Sequence, residues 1–268
     1  MLLEKSRVDR AVIVRCHCFF MGKAAPSVLF HGAARVFALA IRWAVHLTIR
    51  RLGLAVVLGC LLMGGLQADW DFSQISRRAQ SLYGPLGPGQ ARIDAWQNLL
   101  TTQKQGSDVE QLKRVNQFFN HQLRYVEDID LWREVDYWST PIQALIKGAG
   151  DCEDYAIAKY FSLRRMGMPA DKLRITYVKA LRQNRAHMVL TYYSSPNAMP
   201  LVLDSLMDAI KPASERTDLI PVYAFNGEGL WLTGAGGNKK VGDTKRLSRW
   251  QDLLKKMQAE GFPAEPVY

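Results

Sequence analysis

Cysteine and histidine are scarce in this chain of 268 residues, with four of the first and five of the second. Cys16, Cys18 and Cys60 precede residue 69, as do His17, His31 and His46, so beyond it stand only Cys152, His121 and His187. One cysteine excludes an internal disulfide framework; it is either buried or reactive. Repeats, low-complexity tracts and nucleic-acid motifs are absent, although the formal charge is +10. Acidic residues are what the first 68 positions lack: nine Lys/Arg face two Asp/Glu there, a net of +7, which leaves +3 for residues 69–268. The basic excess therefore belongs to a leader, and the remainder gives no reason to expect nucleic acid as a partner. The apolar run over 52–68 has 17 residues including four glycines, near the lower limit for a membrane span.

Arg50 and Arg51 precede that run, and it ends in the small residue Ala68. A charged start, an apolar middle and a small residue at the cut describe a secretory signal peptide, cleaved after about Ala68. Residues 1–68 are read as a basic leader with signal peptide, and residues 69–268 as one domain. Val57-Leu58-Gly59-Cys60 resembles a lipobox, but the apolar run continues beyond Cys60. Cys16-His17-Cys18 lacks the second half that a metal motif needs.

Beyond the leader the apolar spacing changes period part-way. Residues 69–83 begin amphipathic and break at the Gly/Pro cluster 84–89. Helices are expected over 90–103 and 107–123, the second opened by Ser107 with Glu110 three positions on, a capping box. Residues 123–138 are aromatic and acidic and read as an ordered loop whose aromatics fill core. A short helix follows to Lys147, then a Gly-rich entry to a helix that begins at Cys152 and stops near Gly167. Residues 173–180, 187–193, 200–204 and 220–225 are strand candidates. Residues 234–242 read as a flexible surface loop, and a last helix covers 247–258. Helices first and an antiparallel sheet later make the fold α+β.

The chemistry concentrates at Gly148-Ala149-Gly150-Asp151-Cys152-Glu153-Asp154-Tyr155. Asp151 is a good N-cap residue, which puts Cys152 at the first helical position. Unpaired backbone N–H groups and the helix dipole favour a thiolate there. Asp151, Glu153 and Asp154 oppose it, because three carboxylates around a sulfur raise its pKa. A protonated histidine, or a hard cation such as calcium held by the carboxylates, would reverse that. A cysteine nucleophile needs a base, and the base an orienter. His187 opens one strand and Asp204 ends the next, so antiparallel neighbours can bring them together. His121 lies on the polar side of its helix and is read as a surface residue.

The run Gly150-Asp151-Cys152-Glu153-Asp154-Tyr155-Ala156, with His187-Met188-Val189-Leu190 and Leu203-Asp204, resembles the bacterial transglutaminase-like cysteine proteinases over about residues 70–235. The resemblance implies a papain/transglutaminase-like fold, N-terminal helices packed on an antiparallel sheet. It implies Cys152 as nucleophile, His187 as general base and then acid, and Asp204 as orienter. It implies a calcium-dependent activity, with Asp151 and Glu153 at metal positions and Asp154 as an extra ligand. Members of this kind are periplasmic. They cut the N-terminal region of a large surface adhesin next to paired alanines, release biofilm cells, and are held inactive by an inner-membrane cyclic di-GMP receptor. Cys152's own N–H would help to hold the oxyanion, with Trp138 or Gln143 as alternatives for the second donor. A transglutaminase would use the same residues with an amine as acceptor, and a non-catalytic calcium-dependent binding module would leave the thiol incidental.

Overall fold

A computed structural model of the chain describes residues 70–102, 105–233 and 239–263. The leader and signal peptide expected over 1–68 lie outside the described residues. Among the described residues no helix is long and apolar enough to cross a membrane.

Among the described residues three helices come first. Asp71 caps α1 (Phe72–Tyr83) by accepting from the Gln74 N–H at 3.0 Å. After the Gly/Pro break, α2 (Pro88–Thr102) begins on a proline, whose fixed φ suits a first turn. The expected capping box forms at α3 (Asp108–Gln122): the Ser107 hydroxyl accepts from the Glu110 N–H, and the Glu110 carboxylate accepts from the Ser107 N–H at 2.8 Å. The two-residue strands β1 (Arg124–Tyr125) and β2 (Ala149–Gly150) pair in parallel. Between them lie the one-turn α4 (Asp128–Leu131), inside a segment the sequence reads as loop, and α5 (Pro141–Lys147). Its cap is Thr140, in a second capping box with Gln143.

Everything is organised around α6 (Cys152–Arg165), in which residues 152–163 are all buried. Full burial explains why its pattern is not amphipathic: α6 has neighbours on every side. Trp96 of α2 is fully buried and its indole N–H donates to Ser162 Oγ of α6 at 2.8 Å. Truncating Trp96 to Ala would cost roughly 3–5 kcal/mol. The sheet covers another side of α6. It has seven antiparallel strands: β3 (Leu173–Ala180), β4 (Arg185–Tyr192), β5 (Leu201–Leu203), β6 (Lys211–Pro212), β7 (Leu219–Asn226), β8 (Gly229–Leu232) and β9 (Lys239–Gly242), in the order β6-β5-β4-β3-β7-β8-β9. α7 (Ser248–Ala259) closes the core by stacking Trp250 on Phe161, ring centroids 5.5 Å apart.

Four strands match their expected positions, and β6, β8 and β9 were not foreseen. β9 corrects the reading of 234–242 as a loop: Lys239–Gly242 pairs with β8, and residues 234–238 lie outside the described set. All four β9 residues are exposed, so backbone pairing forms the strand with no apolar alternation to announce it.

Candidate active site

Cys152 occupies the first turn of α6 because two close approaches force the chain there. Gly148 ends α5 in the left-handed region, φ +60°, where a glycine costs least. Gly150 has no room for a side chain, since a Cβ would stand 2.6 Å from Asp154 Oδ2. Asp151 takes the N-cap position, but its carboxylate makes no capping hydrogen bond, unlike Ser107 and Thr140. It faces other carboxylates instead.

Those carboxylates form a buried acidic basin. Oxygens of Asp128, Asp151 and Asp154 lie within 4.8 Å of one another, and so do those of Asp128, Asp136 and Glu153. Asp128 Oδ1, Asp136 Oδ1, Asp151 Oδ1 and Asp154 Oδ2 are all buried with no hydrogen-bond partner. Burial, reinforced by Glu153 and Asp154, pushes Asp151 up to about 10. Burial likewise raises Asp154 to about 8 and Asp128 to about 6, and raises Glu153. Orphaned carboxylate oxygens converging on one place are what a hard cation requires, so the donor set fits calcium. Asp154 is further anchored by the Ser139 N–H, which donates to its Oδ1 at 2.8 Å. The sequence-predicted set Asp151, Glu153 and Asp154 is brought together, and Asp128 and Asp136 join it from the segment that precedes α5.

The thiol feels this basin. Cys152 Sγ donates to Glu153 Oε2 at 3.0 Å. Burial first and the Glu153 charge second push the thiol well above its ordinary value. One contact pulls the other way: the backbone N–H of Met188 on β4 reaches the sulfur. The residue before it is His187, so the sulfur lies beside the strand that carries this histidine.

His187 and Asp204 meet as their adjacent strands predict. β4 and β5 pair with Leu190 opposite Leu203, and the His187 Nε2 to Asp204 Oδ1 distance is 2.8 Å with both side chains buried. The Leu206 N–H also donates to Asp204 Oδ1, at 3.1 Å, and Arg216 donates to Oδ2 at 2.8 Å. Burial alone would raise Asp204, but the hydrogen bonds from His187, Leu206 and Arg216 outweigh it and hold the carboxyl well below the usual range. An ionised Asp204 only accepts, so the His187 proton sits on Nε2. His187 Nδ1 is buried without a partner. A base nitrogen with a free lone pair is what abstraction of a thiol proton needs.

The family model described as bacterial transglutaminase-like cysteine proteinase matches residues 92–220. LapG from Legionella pneumophila, a solved structure, is 45% identical, with a TM-score of 0.61 over 70% of this chain and 98% of that one. The chain belongs to the bacterial transglutaminase-like cysteine proteinases. Two further structures of that LapG, each 44% identical over 70% of this chain, superpose with TM-scores of 0.62 for an EGTA-treated form and 0.60 for a calcium-bound form, covering 98% and 99% of those chains. Comparison with the curated proteins gives no match.

Other expectations for this proteinase sort as follows. His121 is exposed, with Nε2 2.9 Å from Asp208 Oδ2, a surface residue as expected. Gln143 Oε1 accepts from the Thr140 N–H, and its Nε2 donates one of its two hydrogens to the Tyr137 hydroxyl at 2.8 Å. Trp138 is buried and stacks on Phe225, centroids 5.5 Å apart. Arg216 was not anticipated, because nothing local in Ser214-Glu215-Arg216-Thr217 marks it.

Proposed function

We propose that this cysteine proteinase is a calcium-dependent endopeptidase in which Cys152 attacks the peptide carbonyl, His187 is the general base and then acid, and Asp204 orients the imidazole. The observation that carries the reading is the 2.8 Å contact of His187 Nε2 with Asp204, with Nδ1 free and the next residue's N–H on the Cys152 sulfur. His187 takes the thiol proton, sulfur bonds to the carbonyl carbon, and the Cys152 N–H at the start of α6 helps to hold the oxyanion. The C–N bond breaks as His187 returns the proton to the leaving amine, and water then hydrolyses the thioester. Asp151, Glu153 and Asp154, joined by Asp128 and Asp136, would hold the calcium, whose charge neutralises the basin and so favours the thiolate. The calcium-bound Legionella LapG supports this assignment.

Within that reaction the substrate is the N-terminal region of a large surface adhesin, cut next to paired alanines. Cleavage takes place in the periplasm, releases biofilm cells, and is restrained by an inner-membrane receptor that binds cyclic di-GMP. The family resemblance of the Asp151–Tyr155 run supports these points. The test mixes the protein with the N-terminal fragment of the host's largest adhesin and reads intact mass with calcium and with EGTA. Two fragments whose masses sum to substrate plus one water are expected with calcium alone. Cys152→Ala is expected to leave the substrate whole even with calcium. Cleavage that survives saturating chelator would remove calcium from the reading, and a product lighter by ammonia would replace hydrolysis with transamidation.

A further inference from the structure

Asp204 is held from more directions than an orienting carboxylate needs for its histidine alone. Oδ1 accepts from His187 Nε2 and from the Leu206 N–H, and Oδ2 accepts from Arg216 Nη2 at 2.8 Å. The Asp204 carbonyl accepts from Asn120 Nδ2 and from the buried Lys159, each at 3.1 Å. Arg216 is itself clamped. Its Nε and Nη2 donate to the two carboxylate oxygens of Asp218, both at 2.9 Å, which fixes the plane of the guanidinium. The Asp204 side chain is wholly inaccessible and that of Arg216 is 5% exposed, so their contact is sheltered from bulk solvent. Arg216 also forms part of the wall of a groove of about 430 Å³ that runs across β3, β4, β5 and β7, beside Val178, Val189, Val202, Ala213 and Leu219.

We propose that Arg216 is a positioning residue of the active site: clamped by Asp218, it holds Asp204 Oδ2 so that Oδ1 keeps the His187 proton on Nε2 and leaves Nδ1 free to face the sulfur. The inference rests on the reading of Asp204 as orienter. Its physical basis is charge and direction together. While His187 is neutral, the buried Asp204 carboxylate has no counter-charge from its histidine, and an uncompensated buried charge is costly. Arg216 supplies that counter-charge through the oxygen His187 does not use. It also stops rotation of the carboxylate about its last torsion, which otherwise would exchange Oδ1 for Oδ2 beneath the imidazole. A neutral replacement leaves Oδ2 buried and unpartnered, and protonation of Asp204 or entry of a disordered rotamer then costs the imidazole its fixed tautomer. Lys159 cannot take this role, because it reaches the main-chain oxygen rather than the carboxylate.

The test reads the tautomer directly. Long-range proton–nitrogen NMR of the imidazole, assigned by its loss in His187→Gln, is recorded for the wild type, Arg216→Met, Arg216→Lys and Asp204→Asn, with near-UV circular dichroism to confirm folding. The wild type is expected to show the Nε2–H form alone. Folded Arg216→Met is expected to show a mixture, with kcat on the adhesin fragment lowered roughly 10–100-fold and KM unchanged. Arg216→Lys is expected to fall between the two. Millimolar guanidinium, admitted through the groove, is expected to restore the tautomer and the rate in Arg216→Met, whereas urea, its neutral isostere, does not. A folded Arg216→Met with the wild-type tautomer overturns the proposal, as does equal rescue by guanidinium and urea. Should Arg216→Met fail to fold, Arg216→Gln, which can donate one hydrogen bond without charge, is read in the same way. Asp204→Asn with the wild-type tautomer and activity would break the orienter reading itself, a result distinguishable from failure of Arg216.

Discussion

The acidic basin and Asp204 are both buried carboxylate sites of the candidate active site, and their surroundings differ. Asp204 has a donor for each oxygen, a buried arginine for counter-charge and a lysine beneath its main chain, so its carboxyl is held ionised. Asp128, Asp136, Asp151 and Asp154 each leave an oxygen without a partner, and burial pushes Asp151 and Asp154 far above the usual carboxylate range. The protein's own groups complete the first site and leave the second charge-unbalanced. What a carboxylate does here is set by the donors around it rather than by its depth.

The comparison breaks most sharply at Asp204. Asp204→Asn keeps the shape but reverses the preferred tautomer of His187, and a loss of roughly 10³–10⁴-fold in kcat/KM is expected from adhesin-fragment cleavage rates. A loss under about tenfold would mean that the partnered side of the site is structural. Calcium at a hundred times its Kd is next, expected to add about 2.7 kcal/mol of stability in urea unfolding relative to EGTA. Asp204→Asn should keep that increment, while Asp154→Asn should lose most of it.

The two sites also carry opposite pH dependence. In EGTA, the raised folded values of Asp151 and Asp154 mean that their contribution is fully present below about 3.8, the ordinary Asp value, and is lost as pH rises through the folded values of about 10 and about 8. The lowered Asp204 contributes above the ordinary Asp value and loses that stability as pH falls. Urea melts of the chelated protein should therefore weaken between about pH 5 and pH 9, and saturating calcium should flatten the slope. A slope unchanged by calcium would detach the cation from the basin. The smallest effect is at Asp128→Asn: in EGTA it should stabilise by about 1 kcal/mol by relieving crowding, and with calcium it should destabilise by a similar amount. The same sign in both conditions would place Asp128 outside the cation site.

Local signals made part of this legible. Ser107 and Glu110 announced the start of α3, and Asp151 marked the start of α6, even though its side chain does not act as the cap. His187 and Asp204 were readable because consecutive antiparallel strands bring their ends together, and the β4–β5 pairing does so. Asp128 and Asp136 were visible only as members of an acidic, aromatic stretch. No spacing rule distinguishes them from Asp130 or Glu134, since the fold of residues 126–140 decides which carboxylates turn inward. Arg216 was invisible for the same reason: its partners are twelve residues back and two residues on, and only the path of the chain around β6 brings them together. β6 has two residues, β8 alternates over only four and β9 is exposed throughout, so none offers a run long enough to be read as a strand.

The basin draws its oxygens from two stretches of chain, Asp128 and Asp136 before α5, and Asp151 to Asp154 after it. A cation shared between them would act as a removable staple, closing a loop of roughly twenty residues much as a disulfide would in a chain that has only one cysteine beyond residue 68. Such a staple can be opened by a chelator without reducing agent. With it open, the segment around Trp132 to Asp136 becomes the first place where another protease should be able to nick this one.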